Sequence, residues 1–300
     1  MLFVNIIVPV FIIIFSGWAL ERFSKIDLHP LTTSSLYLFA PMLVLSALLK
    51  KPIESQMAMV VFGFMALYIL LMWLLAHGAS RLLRLDYDSR QAMTLTTVMM
   101  NIGNFGLPLS YFAFGEAGLN VSILVFVAFN IPLGSLAIVI AQGKDASLWA
   151  ATKNCLKIPI LHAVVVALLL NALHITMPVF ILRPMELLGQ PAVPMMLVLL
   201  GMQMSRTQWR LPGGFMLTAA FLRLCAAPVI GWLCCWMLGI TGIERNVMIL
   251  QTSTPSAVLP LLYALRFNTR PDLVASTIMT TTLLSAGSLT LLLYLLPLLP

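Results

Sequence analysis

The sequence predicts an all-α polytopic membrane protein of ten transmembrane helices, arranged as two inverted five-helix repeats with the fourth and ninth helices broken. Three observations predict it. Hydrophobic residues make up 61% of the 300 and charged residues 9%, against roughly 25% charged in an ordinary soluble domain. The apolar residues fall into ten runs, each near the ~20 residues that a ~30 Å hydrocarbon core requires. Short motifs also recur at one spacing between the two halves of the chain.

The runs in the first half are residues 2–20, 31–49, 57–77, 91–114 and 121–141. The first has no basic residue ahead of its apolar core and no small-x-small cleavage site, and Glu21-Arg22 follows directly. It is expected to be a retained helix rather than a signal peptide. The second half supplies residues 158–177, 186–204, 215–238, 246–266 and 273–296, leaving connections too short for a separate soluble domain.

The net charge of +7 would suggest a nucleic-acid partner in a soluble protein. Here its position explains it better. With the N-terminus outside, the cytoplasmic loops hold twelve basic residues: Arg22, Lys25, Arg81, Arg84, Arg90, Lys144, Lys153, Lys157, Arg206, Arg210, Arg266 and Arg270. The outer loops hold four, Lys50, Lys51, Arg183 and Arg245. The positive-inside rule therefore places both termini outside a plasma (bacterial inner) membrane. The lipid bilayer, not nucleic acid, is the expected macromolecular environment.

Leu107-Pro-Leu-Ser-Tyr111 in the fourth run resembles Leu259-Pro-Leu-Leu-Tyr263 in the ninth, an offset of 152. Pro41-Met-Leu-Val-Leu45 in the second resembles Pro194-Met-Met-Leu-Val198 in the seventh, an offset of 153. A fainter echo pairs Val8-Pro-Val10 with Ile158-Pro-Ile160. Agreement between equivalent runs implies repeats over residues 1–145 and 155–300. Because each repeat has an odd number of spans, the second crosses in the opposite sense to the first.

The fourth and ninth runs break helix rules. Asn101-Ile-Gly-Asn-Phe-Gly-Leu-Pro108 places Gly103 and Gly106, which weaken a helix, ahead of Pro108, with Asn101 and Asn104 able to cap exposed ends. The ninth run carries Gln251, Thr252, Ser253, Thr254, Pro255 and Ser256 in a row, then Pro260. Gly and Pro are common in membrane helices, and Ser/Thr often only join helices. Two interruptions at repeat-equivalent positions instead point to a transporter binding site at the midplane. Half-helix N-termini carry about half a positive charge and free N–H groups, so converging ends suit an anion, a carboxylate above all.

The expected substrate-contacting set is Asn101, Gly103, Asn104 and Gly106 with Gln251, Thr252, Ser253, Thr254 and Ser256. Pro108, Pro255 and Pro260 shape the breaks. Arg223, inside the eighth run, either attracts an anion or snorkels to the inner interface. All ten Asp and Glu residues fall in loops or at run ends, which argues against an antiporter built on buried acids. The four cysteines show neither metal spacing nor a disulfide framework. There is no zinc-protease motif, nucleophile elbow or P-loop. The chain is expected to be no enzyme, to need no cofactor or metal, and to draw on a gradient or another subunit.

Asn101-x-x-x-x-Gly106-x-Pro108 followed by Phe114-Gly-Glu-Ala-Gly118 resembles the fourth-span signature of the auxin efflux carrier family. Ala192-Val-Pro194 through Leu200-Gly201, Pro255-Ser-Ala-Val258 and Thr280-Thr-Thr-Leu-Leu-Ser285 extend the resemblance over the whole chain. It implies a fold related to bile acid sodium symporters, in which the two broken helices cross. It further implies a scaffold from helices 1, 2, 6 and 7, a transport domain from helices 3–5 and 8–10, an elevator-like motion of organic anions, and a homodimer. Asn101 would be the amide at the crossing. The long central loop of plant members is absent, and Asn104 stands where those members carry a bulky apolar residue, which argues for a substrate other than auxin. The expected function is secondary or facilitative transport of a small organic anion. The alternatives are a sodium-coupled symporter of the bile acid type and a membrane receptor that binds without translocating.

Overall fold

A computed structural model describes residues 3–51, 55–143, 149, 153, 156–207 and 213–299. Most of the expected repeat boundary, with Lys144, Asp145 and Cys155, lies outside the described residues, as do Glu54 and Arg210.

Among the described residues the regular structure is helical, interrupted by one isolated antiparallel bridge between Met100 and Ser256. The helices are α1 (Phe3–Ser24), α2 (Leu28–Lys50), α3 (Gln56–Leu82), α4 (Tyr87–Val98), α5 (Leu107–Gly134) and α6 (Leu136–Gln142). There follow α7 (Pro159–Ala172), α8 (Val179–Gly189), α9 (Ala192–Arg206), α10 (Gly214–Met237), α11 (Gly242–Thr252), α12 (Leu259–Phe267) and α13 (Pro271–Leu295). A five-residue π turn, Ile102–Gly106, leads into α5.

Seven helical stretches among the described residues are long and apolar enough to cross a membrane. That number falls short of the ten apolar runs for three physical reasons. The ninth run is cut into α11 and α12, each too short to span, and α7 is a shorter apolar helix. One stretch, Ile102–Gln142, is instead 41 residues long, about 60 Å as a straight helix. It does not stay straight. Gly115 sits at φ 63°, ψ −154° inside it, a conformation open to glycine. The chain folds back there, and the Phe126 ring comes within 2.9 Å of where a Cβ on Gly103 would sit.

Helix α1 lies against α9, and α2 against α7 and α8. Helix α3 packs on α4 and α10, α11 on α5 and α10, α12 on α6, and α13 on α4 and α10. Outward faces carry Phe15, Val165, Leu169, Val229, Trp236 and Leu291, all exposed, which suits a lipid surround. Ion pairs gather at the two ends of the bundle. Arg206 Nε donates to Glu21 Oε1 at 2.7 Å, and Arg270 reaches Asp86 at 3.9 Å, at one end; Lys50 meets Glu186 at 2.9 Å at the other. Asp86 also caps α4, accepting from Ser89 N–H at 2.8 Å. Hydrogen bonding from Ser89 holds its carboxyl below the usual carboxylate value.

The α1–α9 contact depends on two glycines. A Cβ at Gly17 would collide with the Val198 carbonyl, and one at Gly201 with the Ile14 carbonyl, so the backbones approach as small residues permit in membrane bundles. Gly201→Val should destabilise the protein by about 1–3 kcal/mol or more through overpacking. Gly63→Val, where no atom lies within 4 Å of a new Cβ, should leave the unfolding midpoint in detergent unchanged.

Candidate functional site

Helix α4 ends at Val98, and Met99 is extended at φ −85°, ψ 109°. Helix α11 ends at Thr252, and α12 does not begin until Leu259. Backbone freed by such breaks must find partners inside the protein, and the two breaks serve each other. Asn101 N–H donates to the Pro255 carbonyl and Ala257 N–H to the Met99 carbonyl, each at 2.9 Å. Ser256 fastens the pair: its hydroxyl donates to the Thr96 carbonyl at 2.6 Å, and its N–H donates to Thr281 Oγ1 at 3.2 Å.

The breaks leave two helix C-termini on one side of this bridge. A helix end presents carbonyls without intrahelical donors and about half a negative charge. Arg223 meets them. Its Nε donates to Thr254 O and its Nη1 to Thr97 O, both at 2.8 Å, and its Nη2 donates to Thr252 O. Tyr68 OH shares the Thr252 carbonyl at 3.3 Å. Arg223 is 0% exposed, and no carboxylate among the described residues lies within ion-pair distance of it. The snorkelling expectation is therefore corrected. Three carbonyls inside the bundle solvate the guanidinium, so it need not reach the interface.

The two helix starts face elsewhere. Asn101, Gly103 and Asn104, at the entry to α5, and Ala257, Val258 and Leu259, at the entry to α12, line one cavity of about 620 Å³. Phe126, Phe129, Leu199 and Leu261 supply apolar wall, while Arg206, Thr207 and Asp272 lie at the end that carries the Glu21–Arg206 pair. Asn101 is 5% exposed and its Nδ2 has no partner. Gln203 Oε1, across the cavity on α9, is also unpartnered. Unsatisfied buried amides are costly unless something arrives to meet them.

The remaining residues expected to contact substrate lie at the crossing but are not among the cavity's described lining. Their hydroxyls are engaged with protein carbonyls: Thr252 and Ser253 with Ile249, Thr254 with Gln251, and Ser256 with Thr96. Gln251 Nε2 donates to Ser110 Oγ at 3.0 Å, and its Oε1 lies against Gly106, where a Cβ would collide with it. Pro108 and Pro260 sit in the first turns of α5 and α12, positions that tolerate proline because the missing N–H has no helical role there. Only Pro255 stands in a break, accepting the Asn101 bond. Sequence reasoning missed Tyr68, Ser110, Gln203 and the Thr97 carbonyl. Ser110 lay within the repeated Leu-Pro-Leu-Ser-Tyr motif, and Gln203 was an isolated amide in an apolar run; the other two gave no signal.

A helical bundle with apolar outer faces, interrupted helices at its centre and a cavity beside them defines an integral membrane transport protein. The chain belongs to the membrane transport protein family, that of the auxin efflux carriers, whose model matches residues 2–154 and 146–293. It is similar to an uncharacterized transporter of Methanocaldococcus jannaschii, 26% identical over 209 residues that cover 67% of each chain. A second relative, an uncharacterized transporter of Methanothermobacter thermautotrophicus, is 26% identical over 208 residues, covering 69% of this chain and 68% of its own.

The Gly106–Gln251 contact makes a coupled pair. Gly106→Ala should push the Gln251 amide off Ser110 and lower thermal stability. Gly106→Ala combined with Gln251→Ala should cost no more than Gln251→Ala alone, a non-additivity that a double-mutant cycle reads directly.

Proposed function

We propose that the protein is a secondary or facilitative carrier of a small organic anion, a carboxylate, working by elevator-type alternating access around the crossing. One observation carries the reading: two helix starts and Asn101, whose buried Nδ2 has no protein partner, border the same cavity. Each helix start favours negative charge by about 0.3–1 kcal/mol or more where partly buried, and the amide adds a donor. Apolar walls suit the body of an organic acid.

The ten apolar runs act in this reading as ten spans in two inverted repeats. Loop contacts support it: Glu21 with Arg206, Asp86 with Arg270, and the Thr269 hydroxyl donating to the Ala141 carbonyl join connections expected on one face, and Lys50 with Glu186 joins connections expected on the other. The first, second, sixth and seventh spans form the scaffold, supported by the α1–α9, α2–α7 and α2–α8 contacts. The remaining spans carry the cavity's broken helices. The protein works as a homodimer in a bacterial inner membrane with both termini outside.

A thermal-stability screen of purified protein against mono- and dicarboxylates identifies the ligand; one present at 100 times its Kd adds about 2.7 kcal/mol. Uptake of that acid into proteoliposomes then tests transport. Asn101→Ala removes a donor with no protein partner, so the ligand-free midpoint should stay near wild type while uptake and the ligand-induced shift fall to background. Normal uptake by that variant overturns the site assignment, and ligand binding without counterflow in the wild type overturns transport.

A further inference from the structure

We propose that Arg223 is a tethered cation: its guanidinium fills a carbonyl cage formed by the two helix C-termini at the crossing and does there the work of a soluble metal cation. The cage consists of Thr97 O from the end of α4 and of Thr252 O and Thr254 O from the end of α11. Oxygens of this kind, from interrupted helices, are those that hold alkali cations in other carriers. Here one side chain satisfies all three.

Two further features show a built site. Arg223 lies in a π turn, Leu222–Ala226, within α10, and such bulges inside helices are frequent at functional sites. The guanidinium is also sealed in, with Tyr68 OH on the shared Thr252 carbonyl and both residues 0% exposed. Among the described residues the charge has no carboxylate partner, and the three carbonyl dipoles offset the cost of burying it. The cation is part of the chain itself, so the cage never empties. The crossing is thus assembled without sodium, and a sodium gradient has no ligand cage here on which to act. This inference concerns the far side of the bridge from the cavity and stands whether or not the cavity carries an anion.

Thermal unfolding of the purified protein in detergent tests it without any substrate. Wild type should unfold at the same temperature in sodium chloride and in choline chloride of equal concentration. Arg223→Ala should lower the midpoint on the order of 10 °C, and millimolar guanidinium or sodium, but not choline, should recover much of the loss. Leu222→Ala, which removes buried apolar contact beside it, should show no cation-selective recovery. Saturable stabilisation of wild type by sodium overturns the proposal, as does an Arg223→Ala variant indifferent to cation identity. If that variant does not fold, Arg223→Lys and Arg223→Met decide: a higher midpoint for lysine supports a cation requirement, and equal midpoints overturn it.

Discussion

Hydrocarbon offers a backbone amide no partner, so every interruption of a membrane helix must be closed by protein. The rest of this structure follows from how two interruptions are closed. Met99–Asn101 and Pro255–Ala257 exchange two hydrogen bonds, and the Ser256 side chain ties the exchange to α4. With the strands thus paired, four half-helix ends are fixed in orientation. Their electrostatics is then no longer a choice. The two C-termini require positive charge and the two N-termini can accept negative charge.

The protein answers the two needs differently. The negative ends receive a permanent occupant, Arg223, bonded to three carbonyls and closed off from solvent. The positive ends receive none from the protein's described residues. They border an open cavity in which an amide of Asn101 and another of Gln203 each keep an atom without a partner. A fixed cation stands on one side, and on the other Asn101 Nδ2 lacks an acceptor and Gln203 Oε1 lacks a donor.

Much of the fold was legible because hydrophobic length and repeat spacing are local properties. The runs of apolar residues located the helices, and the 152-residue offset matched the two segments that prove to be interrupted. The place of Asn101 at a break was legible as well, since an amide beside glycines in an apolar run marks irregular backbone. Long-range pairing was not. Nothing in Thr252–Thr254 says that its hydroxyls turn back onto neighbouring carbonyls, because Ser and Thr satisfy themselves locally whenever a helix end offers an acceptor. Nothing in Phe221-Leu-Arg-Leu-Cys225 announces that the arginine meets carbonyls up to 126 residues away in sequence. The prolines were legible as irregularities only: residue type marks the place, but whether proline ends a helix or opens one depends on the turn before it.

The Met100–Ser256 bridge also has a mechanical side. Two parallel bonds resist twisting as well as sliding, and parting them would strand two N–H groups and two carbonyls in an apolar interior. The broken helices are in effect riveted together, with Arg223 and Tyr68 clamped to the joint. Any displacement of the cavity must therefore carry α4, α5, α11 and α12 as one solid piece, and the compliance that motion needs has to come from side-chain contacts at the edge of that piece.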